Sequence, residues 1–304
     1  MKLGTIRVRP LIAAGAALTA LGAAVLLGQP SAGNAPEMRL TSATSAPPEG
    51  AYWHTRVLWK TTHHRWLGRG SHQYWVAEQE LSENWAAPDG RSWTGFRELG
   101  VYPESAADRE AWRRDGSPTK WTRAADGQVV SLSTRPDKGR VGPVPGKPTF
   151  TLSEQRLTYD EVQRLPADPD GLKSWLSRVA QVEGATETIM DSFVTGALTG
   201  LLYELPAPKE VRTAAYRALQ TMPGVRVKGT AKDSVGRTGT VLSIPRQKGT
   251  AVRSELIVDT GTMLLLAEDM QAATDGKASP EQGGTRTVLQ AGWTNAGPAV
   301  PALP

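Results

Sequence analysis

The stretch WHTRVLWKTTHHRW, residues 53–66, decides the fold class. Trp53, Thr55, Val57 and Trp59 alternate with polar side chains, as on a strand with one buried face. The same stretch holds three of the ten tryptophans and three of the four histidines. It predicts a β-strand whose apolar side faces the interior, while the histidines, His54 among them, face water or lie in the following turn.

Strand patterns recur on both sides of a helical segment. Alternating runs separated by turn signals such as Pro-Asp-Gly and Asp-Gly predict strands over residues 51–150 and again over 225–293. Between them, residues 158–222 have helical periodicity. Within the first strand region, residues 106–115 are expected to form a short helix, and the proline-rich residues 135–150 an exposed loop.

Three helices are predicted in the middle segment. The first begins at Asp168, an N-cap residue followed by proline in the first turn. The second covers about residues 186–203, carries Phe193, and is apolar over so broad an arc that it must be largely buried. The third begins near Pro208 and ends at Pro223 and Gly224.

Together these patterns predict an α+β fold. We expect an extended, curved antiparallel sheet, open and half-barrel-like, with about three helices inserted between two sets of strands and partly covering its concave face. Residues 51–297 would form a single domain. The tail, defined as residues 298–304, is expected to be disordered.

The first fifty residues predict an address outside the cytoplasm. Residues 1–10 form a short basic stub, and the uncharged run 11–28 is just long enough to span a bilayer as a helix. Either this run is retained as a transmembrane anchor, or it is a signal peptide cleaved near Gly33 and Ala35. Residues 29–50 then form a flexible linker rich in Pro, Ser and Ala.

Charge and cysteine content exclude several classes. The formal net charge is +5, but the 35 Lys and Arg residues are dispersed among 30 Asp and Glu residues. A nucleic-acid-binding protein would concentrate its basic side chains on one surface, so no nucleic-acid partner is expected. Because the chain has no cysteine, it contains no disulfide, thiolate metal site or cysteine nucleophile.

No catalytic or metal motif emerges from the remaining polar residues. In a hairpin His54 and His72 would lie at opposite ends, and the adjacent His63 and His64 would point apart, so no zinc site is predicted. A serine hydrolase would need a nucleophile motif that the sequence lacks. Neighbouring acids such as Asp160 and Glu161 are typical of surface charge. We therefore predict no metal and no cofactor.

The tryptophans are the better guide to function. Eight of the ten lie between residues 53 and 121. They either fill the interior of a curved sheet or line a cavity for an acyl chain, a glycan or an apolar peptide, and both can hold at once. The predicted ligand-binding residues are Trp53, Val57, Trp59, Trp75, Trp93 and Phe193.

Three stretches carry a family resemblance: LPADPDGLKSWL at 165–176, ALQTMPGVRVKGTAKDSVGRTGTVLS at 218–243 and SELIVDTGTMLLLAED at 254–269. They resemble an uncharacterised actinobacterial family of membrane-anchored extracytoplasmic proteins, often encoded beside extracytoplasmic-function sigma factors. The likeness covers roughly residues 50–295. Longer members resemble anti-sigma factors, whereas the stub here is too short to hold a sigma factor. More remotely, the element order is similar to the half-barrels of lipoprotein carriers and periplasmic sigma regulators, which cradle acyl chains.

The resemblance and the absence of a catalytic motif lead to one expected function. The chain is predicted to be a membrane-tethered, non-enzymatic, extracytoplasmic binding or sensor module linked to sigma-factor signalling. Its partner would be a lipid or other apolar ligand, or an envelope protein. Two alternatives remain: an envelope enzyme such as a hydrolase with a dispersed site, and a structural surface protein with a filled core.

Overall fold

The elements of the domain follow the predicted order of strands, helices and strands. The computed structural model describes residues 48–62, 67–68, 70, 72–125, 128–153, 155–246, 252–274 and 277–304. The first elements are β1 (Tyr52–Thr62), β2 (Val76–Ala86), β3 (Ser92–Pro103), α1 (Ala106–Arg114), β4 (Lys120–Ala125), β5 (Gln128–Ser133), β6 (Arg140–Pro143), β7 (Phe150–Leu152) and β8 (Gln155–Leu157). Four helices follow, α2 (Tyr159–Gln163), α3 (Pro169–Val182), α4 (Glu187–Leu201) and α5 (Lys209–Thr221). The last elements are β9 (Arg226–Lys232), β10 (Thr238–Pro245), β11 (Arg253–Asp259), β12 (Leu264–Thr274) and β13 (Lys277–Thr294).

Nine of the described strands form one antiparallel sheet, in the order β6-β3-β2-β1-β13-β12-β11-β10-β9. The first four strands in this order are the N-terminal half-sheet and the other five the C-terminal half-sheet. They meet where β1 pairs with β13, with Trp53 opposite Trp293 and Trp59 opposite Arg286. Bulges interrupt the register in several pairs, for example between Arg56 and Val57. Because each bulge bends and twists its strand, the sheet is curved.

The helices after β8 form a layer on one face of the sheet, here called the inner face. Helix α3 begins as the sequence predicts: the carboxylate of Asp168 accepts a hydrogen bond from the backbone N–H of Gly171 at 2.6 Å, and Pro169 occupies the first turn. Such a cap contributes about 1 kcal/mol to helix stability. The apolar side of α3, with Leu172 and Leu176, is fully buried.

The main core lies between these helices and the inner face. From the sheet it takes Val57, Leu242, Leu256 and Val288, and from the helices side chains such as Leu198, all nearly inaccessible to solvent. A fully buried Val or Leu contributes about 1.5–3 kcal/mol relative to an exposed one. The core therefore holds the helical layer on the sheet without a disulfide.

A smaller cluster lies away from this core, around α1 and the hairpin of β4 and β5. Tyr74 is completely buried there beside Leu67, Val76, Val101 and Ala111. Its hydroxyl donates to Asp115 at 3.0 Å and accepts a hydrogen bond from the indole of Trp121 at 2.9 Å. Burial raises the pKa of Tyr74 to about 12. The hydroxyl therefore stays protonated and ties α1 to the hairpin.

The tail is ordered, which corrects the sequence prediction. It lies against the outer face of the N-terminal half-sheet, the face opposite the helical layer. Arg56 Nη2 donates to the carbonyl of Ala302 and Arg97 Nη1 to that of Pro301, each at 2.7 Å. Pro301 is buried. The sequence of the tail alone does not predict this packing, because the contacts are made with glycines and arginines far away in the chain.

The fold class is confirmed: the protein is α+β with one large, curved antiparallel sheet. The short helix expected over 106–115 is α1, but the loop expected over 135–150 contains the edge strand β6. The middle segment holds the three predicted helices and the short α2. The stub 1–10, the run 11–28 and most of the linker lie outside the described residues. Among the helices that are described, none is long and apolar enough to cross a membrane.

Candidate functional site

Three of the six predicted ligand-binding residues belong to or pack against the main core. Val57 is 3% exposed within it, and Trp59 and Phe193 pack against it while partly accessible. Trp53, on the same side of β1, is also buried, at 5% exposed. The indole of Trp53 donates to the carbonyl of Tyr203 at 3.1 Å, just after α4. The indole of Trp59 donates to the hydroxyl of Ser82 at 2.9 Å. Trp53 thus bonds the helical layer directly, whereas the hydrogen bond of Trp59 stays within the sheet.

The other two predicted residues lie elsewhere. Trp93 is on the outer face, where its ring meets the edge of Tyr52 with centroids 5.6 Å apart. Trp75 is buried at the start of β2, and its backbone N–H donates to Asp108 of α1 at 2.9 Å. The structure therefore divides the six residues among an inner core, the outer face and the contact with α1. No single cavity among the described residues joins them.

His54 corrects a second expectation. It was predicted to face water but is only 8% exposed. Its Nε2 lies 2.8 Å from a carboxylate oxygen of Glu83, and its ring stacks on Trp85 with centroids 4.7 Å apart. His54 is buried by these contacts, whereas Arg56 and Lys60 on the same side of β1 are half-buried. Residues 63 and 64, the two adjacent histidines, lie outside the described residues.

A buried ionic network lies beside the inner tryptophans. Arg286 pairs with Glu268, donates to the hydroxyl of Tyr203, and lies over the rings of Trp59 and Tyr203 at 5.6 and 4.9 Å. The hydroxyl of Tyr203 in turn donates to Glu204 at 2.6 Å. The network joins β12 and β13 to the end of α4.

The charges of this network fix its protonation. Burial raises the pKa of Tyr203 well above its usual value, and the charge of Glu204 adds to the rise. Burial lowers the pKa of Arg286, but the attraction of Tyr203, Glu268 and Glu204 outweighs it and raises that pKa overall. Arg286 is therefore a permanent cation and Tyr203 a permanent hydrogen-bond donor. Both are fixed structural groups with no proton to exchange near neutral pH.

A carboxylate cluster occupies the inner face farther toward the N-terminal edge. Glu80 lies directly opposite Trp59 on β1 and Glu98 on β3. Burial raises the pKa of Glu80 to about 7, and the charges of Glu78 and Glu98 contribute to the rise, against the opposing effect of Arg140. Glu80 is thus a group on this face that titrates near physiological pH.

Two motifs of the family resemblance have structural roles in turns. In the turn before β10, the fully buried carboxylate of Asp233 accepts from the backbone N–H groups of Val235 and Arg237. The side chain of Arg237 bonds Asp233 and reaches the carbonyls of Leu266 and Val288, at 3.2 and 2.7 Å. One arginine therefore links the β9–β10 turn to two other strands.

The turn after β11 is built from Asp259. Its carboxylate accepts from the hydroxyl of Thr262 at 2.7 Å and from the backbone N–H of Gly261 at 2.8 Å. The hydrogen bond from Thr262 lowers the pKa of Asp259. The left-handed backbone of Met263, at φ 57°, completes the turn. These residues shape the sheet and do not form a reactive site.

An accessible cavity lies outside the sheet, and we call it the outer cleft. Its volume is about 770 Å³. It lies between the outer face of the N-terminal half-sheet and the loop-and-helix extension that contains α1. The described lining residues are Lys60, Ala77, Gln79, Tyr102, Pro103, Glu104, Arg109, Trp112, Ser117, Thr119 and Thr134. None of the six predicted ligand-binding residues lines it. A shallower hollow of about 430 Å³ at the start of α5 is lined by Ala167, Lys209, Glu210 and Thr213.

The outer cleft presents fixed aromatic side chains beside charges. The hydroxyl of Tyr102 lies 3.0 and 3.1 Å from the carbonyls of Leu99 and Thr134, and the indole of Trp112 donates to the carbonyl of Pro118 at 3.0 Å. Their polar ends are thus satisfied within the protein. Tyr102 still exposes 39% of its surface. The two rings can therefore offer apolar faces without an energetic penalty for buried polar atoms.

Positive charges outnumber negative charges in the described lining of the outer cleft. Lys60 is paired with Glu104 across the cleft. Arg109 on α1 is exposed, and within the described part of the chain its guanidinium makes no hydrogen bond or ion pair. The described lining therefore has one positive charge in excess. Sequence reasoning missed this site because Lys60, Tyr102 and Arg109 come from a strand, a strand end and a helix with no shared motif.

Chemistry and comparison leave the activity open. Among the described residues no group of three or more His, Asp or Glu side chains could hold a metal ion. The described lining of the outer cleft contains a single carboxylate, Glu104, so it lacks the acid pair of a glycosidase. No protein-family model and no curated protein matches the sequence.

Proposed function

We propose that this protein is a non-enzymatic binding module that takes a polypeptide partner in its outer cleft. The observation that carries the proposal is the pairing of two fixed aromatic rings, Tyr102 and Trp112, with the uncompensated cation of Arg109. Aromatic residues and arginine are the side chains most enriched where proteins bind one another. The excess positive charge favours a partner segment that contains an acidic residue.

The arrangement of the inner face supports a polypeptide over a lipid. Trp53 and Val57 are covered by the helical layer, and the indole of Trp53 is bonded to that layer through the Tyr203 carbonyl. An acyl chain would have to displace these contacts before it could enter. The outer cleft needs no such rearrangement, since its volume is already open and within the range of ligand pockets.

In this proposal the module acts outside the cytoplasm. Support comes from the sequence alone: the uncharged run 11–28 after a basic stub, and the resemblance to envelope proteins encoded beside sigma factors. The curved sheet with its helical layer is also compatible with the half-barrel likeness. The proposed role is therefore the outward binding part of an envelope-signalling system, with the run 11–28 as anchor.

The test is a selection of peptides from a phage-displayed library on the purified full chain. We expect enriched peptides to carry an acidic residue next to an aromatic or aliphatic one. Arg109→Glu should abolish their binding because it reverses the charge that faces the peptide. Trp112→Ala should weaken it by about tenfold or more, the usual effect of losing an aromatic hot spot.

The matched control is Arg113→Glu. Arg113 lies on the same helix, is also exposed and is not among the described lining residues of the outer cleft. Peptide binding should survive this change. Equal loss from Arg109→Glu and Arg113→Glu would mean that only the overall charge of α1 matters, and the outer cleft would then not be the site.

A further inference from the structure

The tail has the spacing of a polyproline II ligand. Its sequence is PAVPALP, with proline at 298, 301 and 304. A polyproline II helix has three residues per turn, so residues three apart share one edge. Pro301, the middle proline, is buried, while Pro298 is half-buried and Pro304 exposed. The tail thus packs its middle proline onto the protein.

The surface beneath Pro301 is shaped to receive it. A Cβ on Gly95 would lie 3.0 Å from Pro301 Cδ and 3.2 Å from the ring of Trp85. A Cβ on Gly139 would lie 2.7 Å from a methyl group of Val300. A side chain at either position would crowd the tail, and the left-handed backbone of Gly139, at φ 66°, also favours glycine. Gly95, Gly139 and Trp85 form what we call the tail groove.

Two arginines at the tail groove bind the backbone of the tail. Arg56 donates to the carbonyl of Ala302 and Arg97 to that of Pro301, each at 2.7 Å. The other terminal nitrogen of Arg97 donates to the carbonyl of Lys138 at 2.8 Å, which holds its guanidinium in place. Polyproline II has no internal hydrogen bonds, so its carbonyls are free to accept from such donors. The arginines therefore bind the backbone of the tail, while Gly95 lies against Pro301 and Gly139 against Val300.

The base of the tail groove is rigid. Trp85 is 3% exposed and stacks on His54, whose Nε2 bonds Glu83. Glu83 also lies 3.5 Å from Arg56. The aromatic floor and one of the two arginine donors thus belong to a single buried network. These side chains are already held in place by the fold, so a ligand would not have to order them on binding. A recognition site is typically preorganised in this way.

The tail itself is held lightly. The segment Asn295–Gly297 that connects it to β13 is exposed. Beyond that segment, Pro301 is the only buried residue of the tail among those described. A ligand with so few contacts stays bound mainly because it is tethered, at a local concentration in the millimolar range.

We propose that the tail groove is a polyproline II recognition site and that the tail is its displaceable ligand in cis. Its ligand in trans is a proline-rich segment of a partner protein with prolines three residues apart. The tail then lowers the apparent affinity for such a segment, so that only a partner with the matching spacing competes. This site uses other residues than the outer cleft, so it extends the proposed function and does not depend on it.

The experiment uses the full chain and a fluorescent peptide with the sequence of residues 297–304, Gly-Pro-Ala-Val-Pro-Ala-Leu-Pro. Pro301→Asp in the chain places a charge where the proline ring is buried, and should release the tail. Peptide binding, followed by fluorescence anisotropy, should then be about tenfold tighter or more than to the wild-type chain. A peptide with Asp in place of the buried proline should not bind.

Gly95→Val added to Pro301→Asp is the control. It fills the slot for the proline ring and should abolish peptide binding, whereas Arg109→Glu should leave it unchanged and so separates this site from the outer cleft. A folded Pro301→Asp chain that fails to bind the peptide overturns the proposal. Binding that survives Gly95→Val overturns it as well.

A second arm covers the case in which Pro301→Asp does not fold. A protease site inserted between Ala296 and Gly297 of the full chain allows the tail to be cut from the folded protein. Native mass spectrometry should then show exchange of the cut tail for the labelled peptide. Unfolding on cleavage, or loss of the tail without rebinding, would show that the tail is only a part of the fold and would refute its role as a ligand.

Discussion

Replacing Arg286 by methionine should destabilise the protein strongly, because Glu268 would then be an unpaired charge beneath the helical layer. The side chains of this ion pair are only 9% and 13% exposed. Removing one partner of a buried pair costs about 3–5 kcal/mol in the free energy of unfolding. The change also removes the hydrogen bond to Tyr203 and the contact over Trp59, so the upper part of this range is expected.

The same magnitude can be read from thermal unfolding. In a domain of this size each kcal/mol shifts the melting temperature by about 2–4 °C, so the single variant should melt about 6–20 °C lower. Urea denaturation should give the free energy directly, with an unchanged slope. Arg114→Met is the matched control. Arg114 and its partner Glu110 are 57% and 69% exposed, and an exposed pair contributes at most about 1 kcal/mol.

The double variant isolates the interaction. Arg286→Met with Glu268→Leu removes both charges and leaves apolar side chains, which a buried site tolerates better than one unpaired ion. We expect it to be more stable than the sum of the two single changes by at least about 2 kcal/mol. A single Arg286→Met cost below about 1 kcal/mol, or strictly additive changes, would refute the view that this network fastens α4 to the sheet.

Three further results are expected. Asp233→Ala should lower the free energy of unfolding by about 2–4 kcal/mol in urea denaturation, because Arg237 and two backbone N–H groups lose their acceptor. Asp259→Ala, in a more exposed turn, should lower it by about 1 kcal/mol. Equal losses from the two variants would contradict this. Glu80 keeps its proton up to about pH 7 in the folded state but only up to its ordinary pKa of 4.5 in the unfolded state. The stability of the wild-type protein should therefore fall as pH rises between these values, and Glu80→Gln should flatten that fall. Parallel profiles of urea midpoint against pH for the two proteins would contradict the burial argument. Native mass spectrometry of the full chain should show the mass of the polypeptide alone, and a reproducible lipid adduct lost on Trp59→Ala would favour a carrier.

The architecture was predictable because its signals are local. Alternation at Trp53, Val57 and Trp59 identifies a one-sided strand, and the cap at Asp168 marks the start of α3. Turn residues between the last strands indicate a meander. Short connections explain why β1 to β3 are neighbours and why β9 to β13 are neighbours, whereas the pairing of β1 with β13 joins the two ends of the domain and has no local signal.

The burial of the outer face was not predictable, because its causes are distant in sequence. His54 looks like a solvated residue until the tail, more than two hundred positions later, is placed above its strand. Gly95 and Gly139 give no local signal that they make room for Pro301 and Val300. The predicted site failed for a related reason: tryptophans on one chain segment point to both faces of a sheet, so Trp93 cannot join Trp53.

The outer cleft depends on charges and rings that only the fold assembles. Lys60 lies on the polar side of β1, and the sequence does not distinguish it from the other polar residues of that strand. Arg109 is one of several basic residues on a short helix, and nothing in the sequence distinguishes it from Arg113. Only the location of α1 over the outer face makes the difference between them.

The most direct test of the outer cleft is photocrosslinking in the producing cells. A benzoylphenylalanine replaces Trp112 in one full-length chain and Phe193, at the inner core, in another. The account predicts a discrete polypeptide adduct from position 112 that disappears with Arg109→Glu, and none from position 193. A lipid-sized adduct from position 193, with nothing from position 112, would contradict it and would locate the ligand beneath the helical layer.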